Sequence, residues 1–317
     1  MTISLLNLDK GLKFSNPFTT EDGKERAHVA MKRLDTLWFN TGTLCNLSCE
    51  NCYIESTPRN DRLSYLTLNE VEIYLEEIRI ERIETREIGI TGGEPFMNPE
   101  ILEIARSVLV RGFSLLILTN AMKPMMRPAI QSGLLSLKSD FGNKLTLRVS
   151  VDHFSQTVHE KERGKGSWVP MFEGLRWLSK NGFKIALAGR NQSQEPEEEL
   201  RRGFSRLLKV NQIRIDAHDC RELVLFPEMD DLSSVPEITT DCWGILGVSP
   251  DDMMCASSRM IVKHKEKDKP SVMACTLLAY DQRFDLGNTL QEACKSVHLN
   301  HQHCAQFCVL GGGKCSG

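Results

Sequence analysis

Three closely spaced cysteines are the residues of this chain whose type and spacing point most directly to chemistry. Cys45, Cys49 and Cys52 are separated by three and two residues, and they follow an apolar run at residues 37–39. Thiolates this close together on one loop can turn toward a common metal centre. A closed structural site uses four ligands, so three leave one position open for chemistry. The spacing favours an iron–sulfur centre, and the alternatives are a zinc loop completed by a distant residue or buried free thiols.

Composition limits the class of protein. The chain has 317 residues, a net charge of −3 and 11 cysteines. This charge argues against nucleic acid as an obligate partner. No apolar run approaches the roughly 20 residues that span a bilayer, and the first residues lack a signal-peptide pattern. We therefore expect a cytoplasmic protein with no membrane partner, in which an odd number of cysteines indicates metal ligation more than disulfides.

Short apolar runs alternate with amphipathic segments from residue 36 onward. The predicted strands are residues 36–40, 87–91, 115–118, 145–151, 183–188 and 212–217. Thr67 and Glu70 form a capping-box pattern at the start of one intervening helix, and Gly182 is a typical signal for the end of another, predicted at residues 168–180. Six repeats of strand and helix predict an α/β fold with a parallel sheet, specifically a partial (βα)6 TIM barrel.

The pattern also predicts three parts of the chain. Residues 1–34 are irregular and are expected to form an N-terminal arm, and residues 35–235 form the barrel core. The remainder, residues 236–317, has little helix or strand periodicity but contains seven cysteines. A segment with so weak an apolar pattern needs another source of stability, and a metal centre is the simplest. We therefore expect a small cysteine-rich C-terminal domain.

Polar residues collect where the predicted strands end, which is where parallel α/β folds bind ligands. The residues at these positions are Gly92, Gly93, Glu94, Thr119, Asn120, Ser150, Asp152, Arg190 and His218. A glycine pair allows the backbone to approach a ligand closely. Ser150 and Arg190 together suit a carboxylate, because they offer a hydroxyl donor and a guanidinium fork. Taken singly, each of these residues also fits a structural role.

Two of these motifs together resemble the radical S-adenosylmethionine (radical SAM) superfamily, over about residues 36–219. They are the cysteine triplet and the sequence Thr-Gly-Gly-Glu-Pro at residues 91–95. One position departs from the usual pattern, since the residue before the third cysteine is often aromatic in the superfamily and is Asn51 here. The resemblance implies reductive cleavage of S-adenosylmethionine to a 5′-deoxyadenosyl radical, which abstracts a hydrogen atom from a substrate.

The resemblance also implies roles for individual residues. Cys45, Cys49 and Cys52 would hold a 4Fe–4S cluster whose fourth iron binds S-adenosylmethionine. The implied cofactor-binding residues are Tyr53, Gly92, Gly93, Glu94, Asn120, Ser150, Asp152 and Arg190. Among them, residues 92–94 match the motif for the methionine amino group, and Ser150 and Arg190 match positions that bind the carboxylate or the ribose. An electron donor such as flavodoxin or ferredoxin is implied. No catalytic side chain can be assigned from the sequence.

The C-terminal cysteines are similar to auxiliary-cluster extensions of the SPASM and twitch type. We expect one auxiliary 4Fe–4S cluster, and its five candidate ligands are Cys255, Cys275, Cys304, Cys308 and Cys315. Which of the five is not a ligand cannot be read from the sequence. Cys294 lies in a predicted helix at residues 290–297 and is expected to be a plain buried thiol, and Cys220 and Cys242 are expected to be structural. The alternative is a zinc site in which His301 or His303 joins Cys304 and Cys308.

The sequence therefore predicts a radical SAM enzyme, and it leaves the substrate open. A peptide or protein substrate is favoured, because many relatives with an auxiliary cluster modify peptides. Against this, the 34-residue arm is too short for a peptide-recognition domain. The first alternative is a small-molecule or cofactor-biosynthesis reaction. The second is a non-catalytic iron–sulfur or zinc protein.

Overall fold

The computed structural model describes residues 13–191, 195–227, 229 and 235–313. Its strands are β1 (His28–Val29), β2 (Thr36–Asn40), β3 (Glu87–Thr91), β4 (Ser114–Thr119), β5 (Leu145–Ser150), β6 (Lys184–Asn191), β7 (Leu223–Pro227), β8 (Ser258–Val262), β9 (Ser271–Met273) and β10 (Val297–His298). Its α-helices are α1 (Leu68–Ile80), α2 (Ile101–Val110), α3 (Pro128–Phe141), α4 (Gln156–Arg163), α5 (Trp168–Lys180), α6 (Glu197–Val210) and α7 (Cys242–Leu246). A π-helix covers Cys304–Leu310. Among the described residues, no helix is both long and apolar enough to cross a membrane.

One eight-stranded sheet organises the fold, with the strand order β7-β6-β5-β4-β3-β2-β8-β9. Strands β2 to β7 are all parallel, and helices connect most of them in sequence. This arrangement confirms the predicted partial TIM barrel. The carboxyl ends of the parallel strands meet at one edge, so residues that follow different strands come together there.

The first five predicted strands match β2 to β6 closely because each is a local apolar run. The predicted capping box is also present: the Thr67 hydroxyl accepts from Glu70 N–H, and the Glu70 carboxylate accepts from Thr67 N–H. Helix α5 has the predicted bounds. The apolar positions of α1 face inward and are buried, namely Val71, Tyr74, Leu75 and Ile78.

The sixth predicted strand is wrong. Residues 212–217 form turns and coil, and the sixth parallel strand is β7, which pairs with β6. Gln212 follows helix α6 with a φ of 56°, which starts a turn instead of a strand, although Ile213 and Ala217 are still buried. His218 therefore does not lie at a strand end. Its side chain is 47% exposed and stands 3.9 Å from Glu198.

One helix is missing from the prediction and one further predicted helix is wrong, both at short, charged or turn-rich segments. Helix α4 was not predicted, because only His159 and Glu162 of its eight residues are buried. The predicted helix at residues 290–297 is a series of turns followed by β10, and Cys294 is exposed instead of buried.

The C-terminal part continues the barrel sheet. Strand β8 lies parallel to β2, and β9 returns antiparallel to β8. The N-terminal segment joins the same region, because β1 pairs with β10 and buried Arg26 donates to the carbonyl of Leu299. The expected boundaries of arm, core and C-terminal domain stay predictions.

A glycine in the middle of β3 makes room for a large side chain in the sheet interior. Gly89 pairs with Trp38 of β2, and the buried indole ring lies across the glycine. A Cβ added at Gly89 would stand 2.3 Å from Trp38 Cε3. The indole would therefore have to shift and its neighbours repack to admit the Cβ.

We predict that Gly89→Ala lowers the free energy of unfolding by about 1–3 kcal/mol, the usual cost of overpacking a core. Urea unfolding under anaerobic conditions would measure the change. Gly244→Ala is the matched control, because a Cβ there meets no atom within 4 Å. Equal stability of the two variants would contradict the packing argument.

Candidate active site

A cavity of about 170 Å³ lies at the carboxyl ends of the barrel strands. It brings together most of the residues that the sequence analysis selected around the cysteine loop. They are Cys45, Cys49, Cys52, Tyr53, Gly92, Gly93, Thr119, Asn120, Ser150, Asp152 and Arg190. Glu94 lies beside the cavity, but it is not among the lining residues. The cavity also contains residues that the sequence analysis did not select, notably Arg163, Phe226, Leu277 and Phe307.

The sulfur atoms of the first and third cysteines accept hydrogen bonds from the loop backbone. Leu47 N–H donates to Cys45 Sγ at 3.4 Å, and Ser56 N–H donates to Cys52 Sγ at 3.3 Å. Burial raises the pKa of the Cys45 thiol to about 12. A thiol of this kind ionises when a metal binds it, and N–H donors then stabilise the anionic sulfur. The donor set therefore fits an iron–sulfur cluster.

The second cysteine faces a guanidinium group. Arg163 Nη1 donates to Cys49 Sγ at 3.9 Å, and the same side chain holds Asp152, with Nη2 donating to Oδ1 at 3.2 Å. Arg190 Nε stands 3.4 Å from the same Asp152 oxygen. Burial alone would raise the pKa of Asp152, but the two arginines outweigh it and lower this pKa below its ordinary value. Asp152 is therefore ionised and fixes both arginines at the cavity.

Helix α4 supplies Arg163, the most important residue that the sequence reasoning missed. The helix is only eight residues long and strongly polar, so it lacks the apolar repeat that identifies longer helices. One signal was available. Gly164 follows the basic end of this segment with a φ of 95°, and a glycine after a basic residue is a typical helix C-terminus.

An aromatic wall closes the cavity on the C-terminal side. The ring of Phe307, on the π-helix, packs against Tyr53 at 6.1 Å and against Phe226 of β7 at 5.7 Å between centroids. The Arg190 guanidinium lies over the Tyr53 ring, 4.7 Å from its centroid. The cavity thus has a charged side at strands β5 and β6 and an apolar side at the C-terminal segment.

The carboxylate of Glu94 joins the ends of two strands. Its Oε1 accepts from the Thr119 hydroxyl and its Oε2 from Asn120 N–H, both at 2.9 Å. Burial raises the pKa of Glu94 to about 7, although these hydrogen bonds oppose the shift. The Glu94 N–H donates to Leu44 O at 3.1 Å. The motif therefore fixes the cysteine loop to β3 and β4.

Close packing against the cysteine loop explains the second glycine of this motif. A Cβ at Gly93 would lie 2.2 Å from Leu44 O, a backbone atom that cannot yield without moving the loop. The Gly93 N–H donates to Gly42 O at 2.8 Å. The absence of a side chain at Gly93 thus lets the cysteine loop pack directly against the end of β3, and it would also let a ligand in the cavity come close to the backbone.

A second, smaller cavity collects four of the five C-terminal candidates. Cys255, Cys275, Cys304 and Cys308 all line it. Cys315 lies outside the described residues. Burial raises the pKa of Cys255 to about 12 and that of Cys304 well above its ordinary value, so these thiols also need a metal or a cationic partner to ionise.

The other residues around the second cavity are mainly apolar. They include Met254, Leu278, Phe284 and Leu299, together with His303. Leu277 lines both cavities, so the two are neighbours. Across residues 13–313, apart from the undescribed gaps, no three His, Cys, Asp or Glu side chains stand close enough together to hold a single metal ion.

The barrel and the cysteine-lined cavity at its strand ends define an enzyme of the radical SAM class. The sequence profile of the Radical SAM superfamily matches residues 39–202, which is more than half of the chain. The chain belongs to this superfamily. Membership implies a 4Fe–4S cluster and S-adenosylmethionine as cofactors.

Two curated relatives match part of the chain. The antilisterial bacteriocin subtilosin biosynthesis protein AlbA of Bacillus subtilis is 30% identical over 145 residues, covering 45% of this chain and 30% of AlbA. The mycofactocin maturase MftC of Mycolicibacterium smegmatis is 25% identical over 176 residues, covering 54% of this chain and 42% of MftC. The chain thus matches less than half the length of either relative.

A solved structure supports the fold. Streptococcus suis SuiB bound to S-adenosylmethionine is similar to this chain with a TM-score of 0.56 and 13% identity, covering 79% of this chain and 62% of SuiB. At this identity, the likeness shows the architecture and nothing about the reaction.

We predict that the contribution of Glu94 to stability falls as the pH rises. Its pKa is about 7 in the folded protein and close to 4.5 otherwise, so the folded state binds this proton more tightly than the unfolded chain. The difference in free energy of unfolding between wild type and Glu94→Gln should therefore favour wild type more at about pH 5 than at about pH 8. Anaerobic urea unfolding at both pH values would measure it.

The control for this prediction is Glu173→Gln, a change at an exposed position of helix α5. Its effect on stability should be the same at both pH values. A wild-type advantage over Glu94→Gln that grows from the lower to the higher pH would contradict the prediction.

Proposed function

We propose that Cys45, Cys49 and Cys52 bind the 4Fe–4S cluster of this radical SAM enzyme. The observation that carries the proposal is the hydrogen bond from an N–H donor to each of the three sulfur atoms at one cavity. When bound, the cluster supplies the electron that cleaves S-adenosylmethionine to methionine and a 5′-deoxyadenosyl radical, which takes a hydrogen atom from the substrate.

The charged side of the cavity would bind the methionine part of S-adenosylmethionine. Ser150 and Arg190 would receive the carboxylate, because they offer a hydroxyl and a guanidinium that Asp152 holds in place. Gly93 offers its carbonyl oxygen to the ammonium group, since its N–H is already donated to Gly42. Glu94 supports this edge from beneath by joining β3 to β4.

Asn120 and Tyr53 complete the proposed cofactor site. The Asn120 side chain donates to Asn46 Oδ1 at 2.9 Å and to Cys45 Sγ at 3.9 Å, which places it between the cysteine loop and β4. It is suited to contact the ribose or the substrate. The apolar side of the cavity, with Phe226 and Phe307, would exclude water from a reactive radical.

We further propose an auxiliary 4Fe–4S cluster at the second cavity, with Cys255, Cys275, Cys304 and Cys308 as ligands. The support is the convergence of these four cysteines from three separate segments on one cavity. A zinc ion is the alternative, with His303 as a neighbour at the same cavity. Iron and zinc analysis separates the two.

The proposed substrate is a peptide or protein, processed in the cytoplasm with an electron donor such as flavodoxin or ferredoxin. Support comes from two relatives whose names refer to the biosynthesis of a bacteriocin and to a maturase. The chain matches less than half the length of either relative, so a direct experiment must identify the class of substrate. The alternative is a small-molecule substrate.

Hydrogen transfer to the cofactor tests the substrate class. Purified holoenzyme would be incubated anaerobically with S-adenosylmethionine, reductant and one of two fractions of a perdeuterated cell extract, either peptides and proteins or small molecules. Deuterium in 5′-deoxyadenosine from the first fraction supports the proposal, and deuterium from the second alone supports the alternative. Absence of 5′-deoxyadenosine would overturn the proposed activity as a whole.

We predict that replacing Cys45, Cys49 and Cys52 together by alanine abolishes cleavage of S-adenosylmethionine. The second cavity retains its own cysteines, so the absorbance of the auxiliary cluster should remain. Anaerobic product analysis and visible absorption spectra check the two expectations. Loss of all cluster absorbance in this variant would contradict two separate centres.

We also predict that Cys304→Ala changes the EPR spectrum of the auxiliary cluster and lowers the iron content of the reconstituted protein by up to about half, because the cluster loses one of its four proposed thiolates. Cys294→Ala is the matched control, since Cys294 is exposed and does not line the second cavity. Iron analysis and EPR spectroscopy would measure both variants. An unchanged iron content together with an unchanged EPR spectrum of the auxiliary cluster in Cys304→Ala would show that Cys304 is not a ligand.

A further inference from the structure

Asn51 occupies a position where the superfamily often has an aromatic residue. Three of its polar groups form hydrogen bonds with neighbouring elements. Its N–H donates to Glu162 Oε1 at 3.0 Å, and its Nδ2 donates to Glu162 Oε2 at 2.9 Å. Its carbonyl oxygen accepts from Arg190 Nη1 at 2.7 Å. The preceding residue is held too, since Glu50 N–H donates to Glu162 O at 2.9 Å. The loop between the second and third cysteines is thus bonded to α4 and β6.

The Glu162 carboxylate is buried, so its hydrogen bonds restrict the position of the loop. The Glu162 side chain is 1% exposed, and Arg190 Nη1 stands 3.2 Å from its Oε1. A buried carboxylate is stable only when donors surround it, and Asn51 supplies two of them without adding charge. The carboxylate in turn depends on these donors, because a buried charge that loses its hydrogen bonds is costly. Moving the loop would therefore break several bonds to one buried carboxylate together.

The next residue of the same helix faces the cysteine itself. Arg163 donates to Cys49 Sγ and to Asp152, as described above. The last turn of α4 thus holds the loop backbone through Glu162 and the sulfur of Cys49 through Arg163. A change in the position of Asn51 would move both neighbouring cysteines, since it lies between them in the chain.

We propose that Glu162 is a positioning residue for the cluster loop, which it holds through its two hydrogen bonds from Asn51. The proposal rests on the proposed function to the extent that Cys49 and Cys52 hold the cluster. Glu162 acts on the loop through its bonds to Asn51 and Glu50. Its role is to keep the two thiolates in place while the cluster changes its charge.

An exchange of donor and acceptor tests this proposal. Glu162→Gln leaves one oxygen for two donors, and Asn51→Asp places two carboxylates against each other. In the double variant, the new amide at position 162 can donate to the new carboxylate at position 51, while the amide oxygen still accepts the N–H of residue 51. The total charge of the double variant equals that of wild type, so the pair of changes isolates the hydrogen bonds.

Three measurements on anaerobic holoenzyme separate positioning from general stability. They are the rate at which a chelator removes the S-adenosylmethionine-responsive EPR signal, the hydrogen exchange of a peptide covering residues 45–53, and the midpoint of thermal unfolding. We expect each single variant to lose the cluster at least about tenfold faster, since tenfold is the factor for one hydrogen bond to a charged group and each variant also changes the local charge. The double variant should return to within about twofold of wild type, with exchange in the loop following the same order.

Glu173→Gln is the control for the loss of one carboxylate, and it should match wild type in all three measurements. If the single variants retain the cluster as wild type does, or if the double variant is no better than either, the positioning role is overturned. A fall in the unfolding midpoint without faster cluster loss would show a purely structural pair, which also overturns it. If wild type itself binds no S-adenosylmethionine-responsive cluster, the proposed function fails instead.

Discussion

A balanced set of buried charges next to the cysteine loop is the constraint on which the rest of the site depends. Asp152 and Glu162 supply two carboxylates, and Arg163 and Arg190 supply two guanidiniums, all at one side of the cavity. Removing either sign would leave an uncompensated charge in a low-dielectric site, which is far more costly than the loss of one contact. The four residues lie on α4, on β6 and just after β5, so the balance also fixes these elements relative to the cysteine loop.

This balance explains why the two sides of the cavity differ. The charged groups on one side already pair with each other within the protein. An ionic ligand must therefore replace some of these ion pairs while the positive and negative charges stay balanced. The opposite side consists of aromatic and aliphatic groups, including Phe226 and Phe307, and imposes no such condition. The cavity therefore offers fixed charges on one side and an apolar surface that excludes water on the other.

Local patterns made most of the fold predictable from the sequence, and long-range pairing made the remainder unpredictable. Strands β2 to β6 are short apolar runs that carry their own signal. The sixth strand was misplaced because alternation of Ile213, Ile215 and Ala217 resembles a strand, whereas the true strand ends in Pro227 and lies in a stretch that resembles a loop. The cysteine triplet could be recognised from spacing alone. The grouping of the C-terminal cysteines at one cavity depends on tertiary packing, and so does the placement of Arg163.

The parallel pairing of β2 with β8 has a consequence for the synthesis of the chain. Strand β2 is synthesised early, but one of its edges is covered only by residues 258–262, which emerge from the ribosome more than two hundred residues later. Until then, the first barrel strand presents unpaired backbone groups, which are a template for association with other chains. The segment that carries the C-terminal cysteines therefore also closes the barrel edge, so the N-terminal half cannot reach its final state before the last fifth of the chain is made.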